Sequence, residues 1–187
     1  MTNVLIAAII AAFVVFQGFK KLSNEDTLLK MASRWAIKEQ WGWSSDTYLS
    51  DEEGLDLLKA LLVCTKGDAV ISEAEREWAL GFAACREMPM SIIEAGRAYD
   101  ANEDIADILS RSPIVQKGKK GVVYWAIKAC SADAEYNDLE KAAIRKMAGL
   151  MGVSEQVVEE MEAVIIEEQK LKDKRNALVY DSKVLWE

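Results

Sequence analysis

The sequence predicts an all-α protein, a bundle of two similar helical halves preceded by an apolar N-terminal helix. Residues that favour helix, such as Ala, Leu, Glu, Lys and Met, are abundant. Apolar side chains recur at helical spacing in one segment after another, and no segment shows the sustained alternation of a strand. With 187 residues, 51% of them hydrophobic, the chain is long enough for one domain with a substantial core.

The N-terminal segment is the most apolar part of the chain. "VLIAAIIAAFVVF" at residues 4–16 has no polar side chain, and no charged side chain occurs before Lys20 and Lys21. A helix without a polar face needs lipid or protein on all sides. The whole uncharged stretch comes close to spanning the ~30 Å hydrocarbon core of a bilayer. We therefore predict a membrane anchor at residues 1–21, with a buried core helix as the alternative.

The lysines after the apolar run and the cysteines of the domain indicate on which side of the membrane the domain lies. Lys20 and Lys21 follow the apolar run, so the positive-inside rule places the next domain on the cytoplasmic-type side. Cys64, Cys85 and Cys130 show no pairing pattern, and free thiols are typical of a reducing compartment. We expect a membrane-anchored protein whose partners are membrane lipid and other proteins of a membrane complex.

Capping residues and apolar stripes mark the first helices of the domain predicted at residues 22–175. Ser23, with two acids after it, begins a helix over residues 23–40, and a loop rich in aromatic residues follows. The next two helices are assigned from apolar stripes, which are Leu55, Leu58 and Leu62 in one and Ala74, Trp78, Phe82 and Cys85 in the other. We expect Trp78 and Trp125 to belong to the core.

Proline bounds the middle helices. Pro89 suits the first turn of a helix, and the helix over residues 102–111 stops before Pro113. "QKGKKG" at residues 116–121 lacks the pattern of a phosphate-binding loop and predicts a flexible, solvated connector.

Three helices are predicted after this connector, over residues 122–132, 138–152 and 154–175. The buried face of the last one is predicted to consist of Val157, Met161, Val164 and Ile165. The tail, residues 176–187, has no clear period, and its apolar side chains are expected to dock on the bundle or on a partner.

The composition excludes several classes of function. The chain has no histidine, which excludes Ser–His and Cys–His catalysis and His-ligated metal sites. A net charge of -8 argues against a nucleic-acid partner, which would be held through Lys and Arg, and favours cations or basic protein surfaces. No nucleophile–base pair or cofactor motif is visible, so we expect no enzymatic activity.

An acidic turn occurs twice, and helix capping explains part of each copy. The copies are "KGDAVISEAERE" at residues 66–77 and "SADAEYNDLEKAA" at residues 131–143. Ser72 and Glu75 have the spacing of a capping box, and Asn137 and Glu140 have the same spacing. Each such cap is worth ~1 kcal/mol to the helix that it starts.

Capping does not explain the aspartates of the two turns. Asp68 and Asp133 each follow a helix end, where the helix dipole makes a carboxylate unfavourable by ~0.3–1 kcal/mol. A bound cation would remove this cost, and oxygen ligands suit Ca²⁺, Mg²⁺ or Mn²⁺. The predicted metal ligands are Asp68, Glu75, Asp133 and Glu140. A purely structural role for the turns is the alternative.

These turns carry a resemblance to a known family. A helix that ends in an acidic turn and is followed by [SN]-x-x-E resembles the hallmark of the TerB-like domains of tellurite-resistance and stress proteins. The resemblance covers residues 55–170 and implies an all-helical domain with two similar halves. It also implies a non-catalytic, cation-associated, membrane-linked interaction module, with the cation at the four acids named above. Here Gly67 precedes Asp68, and Ala follows both aspartates, where the family usually has Asp-Gly.

Two functions are therefore expected. The first is a membrane-associated TerB-like interaction module that binds a divalent cation through the doubled acidic turns. The alternative is a structural or linker subunit of a larger membrane protein complex with no metal role. The apolar N-terminus and the apolar tail favour this second function as well.

Overall fold

The computed structural model describes residues 49–66, 70–133 and 136–179, and within these ranges the protein is all helical, as predicted. The predicted anchor at 1–21, the predicted helix at 23–40 and residues 180–187 of the tail lie outside the described residues. The elements are α1 (Asp51–Lys66), α2 (Glu73–Cys85), α3 (Met90–Ala98), α4 (Ile105–Arg111), α5 (Pro113–Cys130), a 3₁₀ helix η1 (Ser131–Asp133), α6 (Asp138–Leu150) and α7 (Glu155–Val179).

Helices α1 and α5 form the centre of the bundle and run side by side in the same direction. Asp56, near the start of α1, accepts a 3.0 Å hydrogen bond from Nε of Arg111, shortly before α5 begins. Near the other end of α1, the carbonyl of Thr65 accepts a hydrogen bond from Sγ of Cys130, the last residue of α5. Because the starts meet and the ends meet, the two helices are parallel.

The core lies around this central pair. The largest fully buried side chains are Leu58, Leu61, Leu62, Cys64, Ile105, Ile108, Val115, Val122, Val123, Ile127, Ile144 and Val158. They come from α1, α4, α5, α6 and α7, so both halves of the chain contribute to one continuous core.

An aromatic cluster joins α2 to α5. The rings of Trp78 and Trp125 stack with centroids 6.1 Å apart, and Phe82 lies 5.1 Å from Trp125. Tyr124 meets Trp125 edge-on at 4.8 Å. Trp125 is buried, which confirms its predicted place in the core, whereas Trp78 is half-buried and packs against the core.

The prediction of a flexible loop at residues 116–121 is wrong, because these residues lie inside α5. Val115 and Val122 are fully buried on either side of the Gly- and Lys-rich stretch, while Lys117 and Lys120 point to solvent. A core-facing stripe therefore continues through the stretch. Burial of this stripe outweighs the low helix propensity of the two glycines.

Two predicted apolar faces are partly wrong. In α2 Ala74 is exposed, and the buried face begins at Glu75 instead. In α7 Val164 is 48% exposed, whereas Val158 is completely buried. Only the first turns of α7 are buried in the bundle, and most of its length is exposed, so apolar spacing does not mark a core face there.

Candidate functional site

The two acidic turns lie at the same end of the bundle. Since α1 and α5 are parallel, the first turn leaves α1 beside the second turn, which leaves α5. Helix η1, which begins the second turn, packs against α2, the helix that follows the first turn. The fold thus brings together two segments that are far apart in the sequence.

The predicted capping boxes are both present. Oε2 of Glu75 accepts a 2.6 Å hydrogen bond from the backbone N–H of Ser72, whose Oγ accepts from the N–H of Glu75 at 3.2 Å. Oε2 of Glu140 accepts from the N–H of Asn137 at 2.8 Å, and Oδ1 of Asn137 accepts from the N–H of Glu140 at 3.2 Å. Glu75 is only 4% exposed. These hydrogen bonds fix both carboxylates at the first turns of α2 and α6, next to the acidic turns.

The two aspartates of the predicted metal site are less fully described. Asp68 lies outside the described residues, and Asp133 is placed by its backbone at the end of η1. No group of three or more Asp, Glu or Cys side chains within residues 49–66, 70–133 and 136–179 is arranged to hold a metal. The four-carboxylate metal site therefore stays a prediction, although the elements that carry it are adjacent.

Two buried cysteines, Cys64 and Cys130, lie near this end of the bundle. Cys64 is buried, with Sγ 3.5 Å from Sδ of Met151, and burial raises the pKa of its thiol to about 12. Cys130 is buried as well and is hydrogen bonded to the backbone of Thr65. None of the three described cysteines, Cys64, Cys85 and Cys130, forms a disulfide, as the sequence predicts.

A basic residue directly follows the capping glutamate of each turn, and it makes different contacts in the two halves. Nη1 of Arg76 donates to the carbonyls of Gly96 and Tyr99 at 3.1 and 2.8 Å, so it binds the C-terminal end of α3. Its counterpart Lys141 lies 5.6 Å from the ring centre of Tyr136. Sequence analysis missed the role of Arg76 because its acceptors are backbone carbonyls about 20 residues away, which leave no side-chain signal.

A second ion-pair group also escaped sequence analysis. Arg111 donates to Asp56 through Nε and Nη2, at 3.0 and 2.8 Å, and pairs with Glu103 through Nη1. The hydrogen bond from Arg111 is the main cause that holds the pKa of Glu103 below its usual value. This group joins α1 to α4 at the end of the bundle opposite the acidic turns, so it belongs to the scaffold.

The helices of the described residues include none that is both long enough and apolar enough to cross a bilayer. The predicted anchor at residues 1–21 is outside that part of the chain.

Comparison with known proteins places this fold in a family. No family model and no curated protein matches the chain. A solved structure, that of a tellurite resistance protein from Nostoc punctiforme, is similar to it, with 35% sequence identity and a TM-score of 0.72. The match covers 82% of this chain and 94% of that one. Given this identity over most of both chains, and the all-helical fold that they share, the protein belongs to the TerB-like family of tellurite resistance proteins.

Proposed function

We propose that the protein is a non-catalytic interaction module, tethered to a membrane by residues 1–21, which binds one divalent cation between its acidic turns. The observation that carries the cation site is the parallel pairing of α1 and α5. Two negative helix poles meet at one place, and each is followed by an aspartate of the turn. The relationship to a tellurite resistance protein supports a role in a stress response.

The chemistry of the site favours Ca²⁺, Mg²⁺ or Mn²⁺. Its candidate ligands are the carboxylate oxygens of Asp68, Glu75, Asp133 and Glu140, and hard cations prefer such ligands. The capping hydrogen bonds already hold Glu75 and Glu140 in place, so less freedom is lost when a cation binds. A bound cation would offset the repulsion among the acids and the negative helix poles. It would also present a charged surface to a partner.

Replacing Asp68 and Asp133 together with Asn is expected to abolish cation binding, because two formal charges leave the site. Calorimetric titration of the purified protein with Ca²⁺, Mg²⁺ and Mn²⁺ measures this. Without metal, the double variant is expected to gain up to ~0.3–1 kcal/mol in unfolding free energy for each site, since helix C-termini disfavour carboxylates.

Three controls accompany this titration. Asp107→Asn with Asp173→Asn removes the same charge from exposed positions on α4 and α7 and is expected to leave binding unchanged. Ser72→Ala and Asn137→Ala are each expected to cost ~1 kcal/mol of unfolding free energy through loss of a cap. If the unaltered protein binds none of the three ions, the cation site is refuted.

The tether is tested by expressing the chain from residue 21 onward beside the full chain. We expect the shorter chain to be soluble and folded, and the full chain to stay in membranes after a carbonate wash, because residues 4–16 are entirely apolar. The folded domain is expected on the cytoplasmic-type side, where protease added from that side digests it. A shorter chain that unfolds, with the full chain in the soluble fraction, would place residues 1–21 in the core instead.

A structural subunit of a membrane complex is the second candidate, and a specific observation favours it. Glu75 and Glu140 both accept capping hydrogen bonds, so starting helices accounts for them without a metal. This candidate predicts no stoichiometric metal in protein purified in mild detergent, and recovery of the chain together with other subunits. The module predicts bound metal and a chain that is stable alone.

A further inference from the structure

Helix α7 leaves the bundle with most of its surface exposed. Of its 25 residues only Val158 is fully buried, and from residue 166 to the end of the helix every side chain except Asn176 is exposed. A helical segment of ~12–15 residues is marginally stable in water by itself, because its hydrogen bonds barely offset the ordering of the backbone. The second half of α7 therefore gains stability from a surface that packs on it.

Three exposed apolar side chains form a stripe along this part of α7. They are Val164, Leu171 and Leu178, which are 48%, 67% and 78% exposed. Their spacing of seven residues is close to two helical turns, so they lie on the same side of the helix. Ile165, which packs against the core, points ~100° away from Val164 around the axis. The stripe thus lies beside the face that α7 uses to contact the bundle.

The charges beside the stripe are segregated along the helix. Glu167 lies within one turn of Val164, whereas Lys174 and Arg175 lie within one turn of Leu178. In the part of the chain that the structure describes, neither this acid nor these two bases form an ion pair. One end of the stripe is therefore acidic and the other end is basic.

The stripe is complementary to a second copy of itself that runs in the opposite direction. Leu171 lies midway along it, seven residues from Val164 and seven from Leu178. If two copies of α7 cross antiparallel at Leu171, Val164 of each copy faces Leu178 of the other. Glu167 and Arg175 are each four residues from Leu171, so the same crossing brings Glu167 of each copy beside Arg175 of the other. A parallel crossing would place acid beside acid.

We propose that two copies of the chain associate through this stripe, as an antiparallel pair of α7 helices about a twofold axis at Leu171. Each copy uses the same surface, so the assembly closes with two chains. The charge pattern favours the antiparallel direction. A stripe of ~21 Å on one helix is a small interface compared with the ~1,200–2,000 Å² of stable complexes. The association is therefore reversible and increases with protein concentration.

Disulfide trapping in the full chain, kept in mild detergent, tests this arrangement. Cys85→Ser is made first, because Cys85 is half-buried whereas Cys64 and Cys130 are buried. Leu171→Cys is then expected to form a disulfide between two chains on oxidation, since its two copies face each other across the axis. Mass spectrometry identifies the linked peptides.

The two outer positions of the stripe determine the direction of the pair. Val164→Cys alone and Leu178→Cys alone are expected not to link, because in the antiparallel pair the two copies of either position are ~21 Å apart. A disulfide requires the two Cα atoms to lie within ~7 Å. A mixture of Val164→Cys chains with Leu178→Cys chains is expected to link.

A cysteine on the other side of α7 controls for random collision in detergent. Asp173 is exposed and lies two residues from Leu171, but it points ~160° away from it around the helix. Asp173→Cys is expected to link at least tenfold less than Leu171→Cys. Equal yields would mean that chains collide without using the stripe.

A charge exchange tests the pairing between copies. In the Leu171→Cys chain, Glu167→Lys alone or Arg175→Glu alone is expected to lower the disulfide yield at least fivefold, because each change acts twice in a symmetric pair. The two changes together are expected to restore the yield to within twofold, since opposite charges face each other again. Glu159→Lys with Lys170→Glu makes the same exchange on another side of α7 and is expected to leave the yield unchanged.

Three results would overturn the proposal. Linking of Val164→Cys alone and Leu178→Cys alone as strongly as Leu171→Cys would show a parallel pair. Failure of the charge exchange to restore linking would refute the proposed register. Absence of a link from Leu171→Cys at all protein concentrations would show that no second copy packs on the stripe.

Discussion

Replacing Trp125 with alanine is expected to lower the free energy of unfolding by ~3–5 kcal/mol. Trp125 is only 6% exposed and packs against three other rings, with centroids 4.8 to 6.1 Å away. Its removal takes a large apolar area out of the core and leaves a cavity where α2 and α5 meet. Each ring–ring interaction of this kind stabilises the fold by ~0.5–1.5 kcal/mol beyond the buried area, and alanine makes none of them.

Urea unfolding followed by circular dichroism measures this loss without depending on tryptophan fluorescence. Val164→Ala is the comparison, because Val164 has the spacing of a core residue but is 48% exposed. We expect Val164→Ala to change the free energy of unfolding by less than ~0.5 kcal/mol, as is usual at the surface. Equal losses for the two variants would mean that the aromatic cluster does not stabilise the bundle.

Gly96→Ala is expected to destabilise the protein by ~1–3 kcal/mol, the usual cost of overpacking a core. Gly96 lies where α3 crosses α1 and α2, and a Cβ added there would overlap the end of the Leu58 side chain. It would also lie 3.1 Å from Cγ of Leu58 and 3.2 Å from Leu80, both buried. Because both side chains are almost fully buried, a shift of either one would disturb other core contacts.

Gly81→Ala, in the adjacent helix α2, is expected to stabilise the protein. A Cβ at Gly81 has no atom within 4 Å, so alanine there gains helix propensity at no steric cost, and stability rises by ~0.5–1 kcal/mol. Thermal unfolding of both variants, with the unaltered protein beside them, measures the pair of shifts. An increase in stability for Gly96→Ala would show that α3 packs less closely than the structure has it.

Features decided within a few residues were predicted correctly from the sequence. Ser72 with Glu75, and Asn137 with Glu140, form the predicted capping boxes because all the hydrogen-bonding groups lie three residues apart. The all-α class, the starts of α2 and α6 and the burial of Trp125 follow from the same short-range patterns.

Features decided by tertiary packing were not predicted. The Gly- and Lys-rich stretch at 116–121 is helical because Val115 and Val122 are buried on one face of α5. The composition of the stretch itself gives no sign of this buried face. The parallel pairing of α1 with α5, which brings the acidic turns together, is decided by packing between helices far apart in the sequence, as the contact between Thr65 and Cys130 shows. No local sequence pattern predicts which two helix ends lie side by side in the fold.

The pairing of α1 with α5 also determines when the fold can form during synthesis. Thr65 and Cys130, which touch in the structure, are 65 residues apart. At roughly 5–20 residues per second, a ribosome completes α1 about 3 to 13 s before it completes α5. Over that interval α1 can pack on α2 and α3, but the side of α1 that packs on α5 lacks its partner. Each half repeats the same turn, but both contribute to one core, so completion of that core requires α5.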